Sequence, residues 1–572
     1  MRTRDMLWSG WGDPDRAAPL PEPVVALLRD LLGVRPGETA PVALADVEVP
    51  EPRLPAEILT ALARIVGDRN VRADTETRVR HTRGRSTPDL LRIRAGQASD
   101  APDAVVLPGT HDEVVAVLRA CARYRVAVVP FGGGTSVVGG LAPSGPGGAP
   151  DAFVALDLRR MDALVSIDEV SRTAVLQPGL RAPAAETLLA ERGYTLGHFP
   201  QSYEWASIGG FAATRSSGQA SAGYGRFDDL VVALTVATPE GDLDLGRAPR
   251  SAAGPDLRQL VLGSEGALGV ITSVTVRIQP VPEARAYEGW RFASFDEGAA
   301  ALRRLAQDGP LPAVLRLSDE TETMVGLTDP SAPGNGGVQD GTPSGARPLD
   351  GGGWGLEDGG SSGARPLDGG GWGLEDGGCL AVVGFEGTVG RVAERRAGVA
   401  DVLRAAGGEP LGAGPGEKWE RGRFDAPYLR DALLDVGAFA ETVETATFWS
   451  NVPALYGAVR DALTGALSDA GTPPLVMCHI SHVYPSGASL YFTVVSAQGK
   501  DPVEHWARAK RAACEAIVDA GGTISHHHGV GTDHRDWYAR EIGPLGAAVL
   551  RAVKDRVDPA GILNPGVLVP PV

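Results

Sequence analysis

Ser525-His526-His527-His528-Gly529-Val530-Gly531 sets three consecutive imidazoles beside two glycines, in a chain with ten histidines among 572 residues. Imidazole changes charge near neutral pH, so it suits proton transfer, and it is also the commonest metal ligand. Read alone, the triplet is equally a reaction centre or a bland surface or metal-binding tract. Gly522-Thr523-Ile524, just before it, reads as a short strand that would present it.

A second kind of chemistry lies between residues 130 and 271. Pro130-Phe131-Gly132-Gly133-Gly134-Thr135-Ser136 follows a short apolar run. Glycine lets backbone amides approach a pyrophosphate closely, and the hydroxyls add donors. The spacing is neither G-x-x-x-x-G-K-[ST] nor G-x-G-x-x-G, which excludes a P-loop and a Rossmann fingerprint. By itself this loop is as well explained by a turn. Three further segments change that balance: Gln201-Ser202-Tyr203-Glu204-Trp205-Ala206-Ser207 before Gly209-Gly210, then Thr214-Arg215-Ser216-Ser217, then Glu265-Gly266-Ala267-Leu268-Gly269-Val270-Ile271. Together, four loops rich in Gly, Ser and Thr fit a large phosphate-bearing cofactor.

The elements that must position these residues follow from length and pattern. A chain of 572 residues exceeds one core and implies two or three domains. Residues 22–65 read as helical, with Val24, Leu27, Leu28 and Leu31 and then Ile58, Leu59 and Leu62 at helical spacing. From about residue 101, strand, helix, strand and glycine loop alternate: Ala104–Leu107, a helix capped by Thr110 or Asp112, and Ala127–Phe131. Strands are expected at Phe153–Leu156, Thr173–Leu176, Val231–Thr238 and Val270–Gln279. Val476–Tyr484 and Ser489–Val495, joined by Pro485-Ser486-Gly487, read as a hairpin. The expected division is a helical region at 1–98, a cofactor domain at 99–280, a substrate domain at 281–520 and a C-terminal segment at 521–572. Within 329–378 the stretch SGARPLDGGGWGLEDGG at 344–360 recurs unchanged at 362–378, and its composition predicts a disordered insertion.

Composition narrows the function. The net charge of −17 and the lack of a long basic run argue against a nucleic-acid partner. Four scattered cysteines read as free thiols, and no apolar run has signal-peptide or membrane-span length, so a cytoplasmic chain is expected. Peripheral membrane contact through short loops stays open, as does a homodimer.

The set PFGGGTS, QSYEWASIGG, TRSSG and GSEGALGVI resembles the FAD-binding domain of the vanillyl-alcohol oxidase/p-cresol methylhydroxylase (PCMH) superfamily. With SHHHGVG, HVYPSGASLYF and the WSGWG start, the chain is most similar to its alkyldihydroxyacetonephosphate synthase family. The resemblance implies an α+β fold: a two-subdomain PCMH-type FAD-binding domain plus an α+β cap domain with an antiparallel sheet. It places FAD on Pro130–Ser136, Gln201–Ser207, Thr214–Ser217 and Glu265–Ile271. It makes Tyr491 a proton donor or acceptor, Arg430 a substrate-binding residue, Arg316 important for activity, and His526, His527 and His528 an essential triplet. Thr135 stands where many relatives carry a flavin-tethering histidine, so non-covalent FAD is expected. The implied reaction exchanges the acyl group of acyl-dihydroxyacetone phosphate for a long-chain fatty alcohol, with no net redox change.

FAD-linked 2-hydroxyacid dehydrogenases on the same scaffold carry H-x-G-D-G-N-x-H and a later E-H-G-x-G. Here Tyr484 and Tyr491 occupy the two spaced histidine positions, which removes the core of a divalent site. His479 and His482, three apart on a strand, would point to opposite faces. No metal is therefore expected. The alternative function is an FAD-dependent oxidase or dehydrogenase of a hydroxy acid or alcohol. Deleting 344–378 is expected to leave the flavin content of the purified protein unchanged; loss of flavin would contradict the disordered-insertion reading.

Overall fold

A computed structural model describes residues 5–35, 41–144, 150–327 and 377–570. The repeated insertion lies outside the described residues except for Gly377 and Gly378. Three sheets carry the architecture, and mixed helices and antiparallel strands make it α+β.

The first sheet runs in the order Val71–Arg72, Ala104–Val106, Phe153–Asp157, Ala127–Phe131, with its last three strands parallel. Parallel strands are covered on both faces, which explains their unbroken apolar runs. The helix His111–Tyr124 packs on it through Val114, Val117, Leu118 and Cys121, and the Thr110 hydroxyl caps its first turn by accepting from Glu113 N. Pro130 has no N–H to give a ladder and sits accordingly on an edge strand. The chain's far end returns to that edge. Val128 donates to Ile562 O, Asn564 donates to Val128 O, and Ile562 and Leu563 join the same core.

The second sheet is antiparallel in the order Leu164–Asp168, Thr173–Leu176, Val270–Arg277, Val231–Thr238, Gly241–Leu245. It buries Leu176, Leu234, Val236, Val274 and Val276 against the helices Ala182–Ala190 and Ile208–Thr214.

The third sheet has seven antiparallel strands, ordered Glu409–Gly412, Ala284–Phe292, Cys379–Gly387, Val314–Ser318, Leu475–Val483, Gly487–Ala497, Ala438–Phe448. Alternation sorts its residues. Leu315, Leu317, Cys478, Ile480, Leu490, Phe492 and Val494 face a core shared with helices such as Phe295–Gln307 and Val452–Asp469. Arg316, His479, Ser481, Tyr491 and Thr493 face the other way, into a cavity. All four cysteines are free and buried. Among the described residues, no helix is long and apolar enough to cross a membrane.

Several sequence expectations change. The two helical runs read within 22–65 form Glu22–Leu32, ended by Gly33 in the left-handed region at φ 66, and Ala56–Val66, opened by Pro55. The described residues between them are not helical as one stretch would require. Gly522–Ile524 forms no strand; only Thr523 bridges Ala446. Glu444 lies in the strand Ala438–Phe448, which the sequence reading leaves unassigned and whose Thr442, Val443, Thr445 and Thr447 are β-branched. The hairpin is present, but a register shift between Ile480 and Val483 breaks the alternation, so His479 and His482 both line the cavity.

Candidate active site

Three adjacent strands place one row of side chains across the third sheet. Tyr491 is in register with His479 on one side and Glu444 on the other. Paired residues share a face, so all three point toward the loop that carries the histidine triplet. His479 stacks on the Tyr491 ring, with centroids 4.9 Å apart.

Glu444 organises that loop. Its carboxylate accepts the Ser525 hydroxyl at 2.6 Å and the successive backbone N–H groups of His526, His527 and His528 at 2.8, 3.1 and 2.9 Å. Burial opposes its ionisation, but the neighbouring imidazoles and these donors outweigh burial and hold the carboxyl below the ordinary range. Glu265 grips the loop just beyond, accepting from Val530 N and Gly531 N at 2.9 Å each. With no cation beside it, burial raises its carboxyl to about 7.

The triplet's side chains diverge. His527 and His528 line the cavity and lie against Tyr491, with ring centroids 5.9 and 5.5 Å away. His526 does not line it; its Nε2 meets the Tyr484 hydroxyl at 2.7 Å. Burial drives all three imidazoles down, His528 to about 3. They are neutral at pH 7 and so able to accept a proton.

The two predicted arginines also reach the cavity. Arg316 pairs with Glu322, whose other oxygen lies 2.9 Å from His479 Nδ1, so a buried Arg–Glu–His group borders the tyrosine. Arg430 pairs with Asp431 at 3.0 Å and donates to Arg85 O. Asp431 is in turn fixed by Trp11 N from the WSGWG segment. A guanidinium has five N–H groups, and these contacts leave two free on Arg430 for an oxyanion.

One cavity of about 1170 Å³ joins these groups to the glycine loops. Pro130 to Ser136 line it, with Gln201, Ser202, Ala206, Ser207, Thr214, Ser216, Ser217, Glu265, Gly266, Gly269, Val270 and Ile271. The structure does not bring in Tyr203, Glu204, Trp205, Arg215, Ala267 or Leu268. Tyr203 stacks on Phe424, Glu204 pairs with Arg16, Trp205 faces a smaller cavity, Arg215 turns back to Leu262 O and Gln259 O, and Ala267 and Leu268 are buried beneath their loop.

The glycine loop fits a pyrophosphate. Among the described residues the N–H groups of Gly132, Gly133, Gly134 and Thr135 donate to no protein acceptor. A Cβ on Gly132 would stand 2.4 Å from Ser207 Oγ, and one on Gly133 would stand 2.5 Å from Trp205 O. Gly134 has φ +70. The loop therefore needs glycine to bring free amides to the cavity wall.

Comparison with known proteins agrees. Residues 102–244 match a family described as FAD binding domain, and 281–568 match FAD linked oxidases, C-terminal domain. The alkyldihydroxyacetonephosphate synthase of Dictyostelium discoideum is 32% identical, over 99% of this chain and 93% of the relative. The chain belongs to the alkyldihydroxyacetonephosphate synthase family. A solved alkyldihydroxyacetonephosphate synthase superposes with a TM-score of 0.78 at 29% identity, covering 98% of both chains. Substrate-bound p-cresol methylhydroxylase, at 17% identity and a TM-score of 0.64, shares the fold. The protein is thus an FAD-binding enzyme of this synthase family on the PCMH-type scaffold.

Sequence reasoning left Glu444 without a role and missed Glu322 and the Tyr484–His526 contact, which depend on tertiary pairing; Asp431 is readable as an ion-pair partner of the adjacent Arg430. It also expected no metal, from Tyr484 and Tyr491 at the two spaced histidine positions and from opposite faces for His479 and His482, whereas the fold gathers ligand atoms of His482, His526 and His527 within 4.8 Å of one another. His482 Nδ1 is held by Ser221 Oγ at 2.7 Å and lies 3.2 Å from Ser217 Oγ of a flavin loop.

The depressed imidazoles set a pH dependence. Below about 6.5 the unfolded chain binds protons that the buried histidines refuse, so stability falls as pH drops. Glu265 opposes this, because its raised carboxyl costs stability as pH rises from about 4.5 to about 7, and the raised carboxyls of Asp319, Glu186 and Asp89 act the same way. Among the described residues the seven lowered histidines, His198, His479, His482, His526, His527, His528 and His534, outnumber these four. Unfolding free energy is expected to decline from pH 7 to pH 5. In His528→Asn the decline from pH 7 to pH 5 should be smaller by about 2 kcal/mol, the slope difference approaching about 1.4 kcal/mol per pH unit only near pH 5; an unchanged slope would show that His528 is not buried neutral.

Proposed function

We propose that the enzyme forms an ether lipid precursor by exchanging the acyl group of acyl-dihydroxyacetone phosphate for a long-chain fatty alcohol, with FAD held non-covalently. The observation that carries this reading is the single cavity. It joins the glycine cradle, the His527–His528–Tyr491 wall and Arg430 to an apolar arm lined by Val24, Leu27, Leu28 and Leu31 of the helix Glu22–Leu32.

Each group has a part that its chemistry suits. Arg430, its fork fixed by Asp431, offers two N–H groups to the substrate phosphate. Neutral His527 or His528 takes a proton from the C1 carbon of the substrate. The Tyr491 phenol, raised to about 12 by burial, stays protonated and donates a hydrogen bond to the neighbouring substrate oxygen. Bound FAD supplies an electrophile and electron sink, so acyl leaving and alcohol addition balance without an external oxidant. The apolar arm takes the alkyl chains, whose burial orients the reacting carbon. Thr135 at the cavity wall offers no ring nitrogen for a flavin tether.

The test is product formation from acyl-dihydroxyacetone phosphate and hexadecanol, anaerobically, without an electron acceptor and with a chelator present. Ether product and released fatty acid are expected, with turnover falling about 10²-fold or more in His527→Ala and Tyr491→Phe. Acid precipitation should leave the flavin in the supernatant. Flavin bleaching by a hydroxy acid or alcohol, with no ether product, would establish the oxidase or dehydrogenase instead. Loss of ether synthesis on chelation would make the His482, His526, His527 group a metal site.

A further inference from the structure

Behind the glycine loop lies a second, small cavity of about 30 Å³. Arg80, Arg85, Arg159 and Arg181 all border it, and Gly133 lines both it and the large cavity. Two of these arginines have their own carboxylates: Arg80 pairs with Glu76, and Arg159 with Asp157 and Asp5. Arg85 and Arg181 do not. Among the described residues neither has a carboxylate within ion-pair distance, and the buried Nε of each has no hydrogen-bond partner.

Their other contacts are neutral. Arg85 donates to Gly84 O at 2.9 Å, and its backbone N–H donates to Ser136 O at 2.7 Å, which ties it to the end of the glycine loop. Arg181 donates to Trp205 O, and its Nη1 would stand 2.9 Å from a Cβ on Gly133. Asp89 and Asp431 act on Arg85, and Asp157 and Asp5 on Arg181, only from beyond ion-pair distance, and Asp157 and Asp5, the latter bordering the small cavity, already hold Arg159. Burial lowers both guanidiniums to about 10, which leaves them charged at neutral pH.

A buried guanidinium at Arg85 and a partly buried one at Arg181, each with a buried Nε that has no partner and no carboxylate at ion-pair distance, call for a nearby anion. The small cavity has room for about one water molecule and not for a phosphate group. The charge they answer must then lie on the other side of the loop, where the free amides line the FAD cavity. We propose that Arg85 and Arg181 are the counter-charge for the FAD pyrophosphate, two cations for its two negative charges, acting through the glycine loop from behind. They are positioning residues for the cofactor, outside the set of loops that the sequence assigns to it.

The test compares apoprotein and FAD-loaded protein for wild type, Arg181→Met, Arg85→Met and Arg181→Lys, by FAD titration and thermal unfolding. Each Met variant should bind FAD about ten- to a hundredfold more weakly, with a flatter salt dependence. Arg181→Lys should keep most of the affinity. The Met apoproteins should melt no lower than wild-type apoprotein, because an uncompensated charge has been removed, while FAD raises their melting temperature less. A purely structural role predicts the reverse, a lower-melting apoprotein with an unchanged FAD-induced shift, and would overturn the proposal. So would chloride or phosphate that stabilises wild-type apoprotein, but not the variants, while FAD affinity is equal in all four; that result would place a free ion between the arginines.

Discussion

The carboxylate of Glu444 is the constraint on which the reaction centre depends. A loop of three histidines has no regular structure to hold it, and its N–H groups need acceptors once buried. Glu444 supplies one acceptor for three successive amides and the Ser525 hydroxyl. This fixes the direction in which each imidazole leaves the backbone: His527 and His528 toward Tyr491 and the cavity, His526 toward Tyr484. Because Glu444 and Tyr491 are register partners, the sheet that carries the phenol also sets the position of the imidazoles.

The same economy appears on the flavin side. Glu265, in the last of the glycine-rich loops, accepts from Val530 and Gly531 immediately after the triplet. One segment is therefore clamped between a carboxylate of the seven-stranded sheet, Glu444, and a carboxylate of a glycine-rich loop, Glu265. The chain's tail then continues to the edge of the first sheet, where Ile562 and Leu563 lock it into the core beneath the glycine loop. Glycine loop, histidine loop and tyrosine strand are thus held as one assembly, the rigidity that the proposed proton transfer calls for.

Much of this was legible in the sequence, and the limits have physical causes. Apolar runs located the strands at 127–131, 173–176 and 231–238, and the Pro-Ser-Gly turn located the hairpin around Tyr491. Glycine and hydroxyl spacing marked most of the cavity wall around the glycine loops, because close backbone approach leaves a local signature. It failed at Tyr203, Glu204 and Trp205, where one turn of chain faces away from the cavity. Cross-strand partners leave no local signature: nothing near Glu444 announces that residues 525–528 will sit on it. The opposite faces expected for His479 and His482 failed because a register shift, invisible in residue types, intervenes. The insertion at 329–378 falls almost wholly outside the described residues.

The most direct measurement is the steady-state kinetics of Glu444→Gln with acyl-dihydroxyacetone phosphate and hexadecanol. Glutamine keeps the size but gives up the charge, and its NH2 faces amides that it cannot accept. The account predicts kcat lower by about 10²-fold or more, with KM for the phosphate substrate and FAD content near wild type, because Arg430 and the glycine loop are untouched. A kcat within about threefold of wild type in a folded, flavin-loaded variant would contradict the claim that this carboxylate positions the catalytic imidazoles.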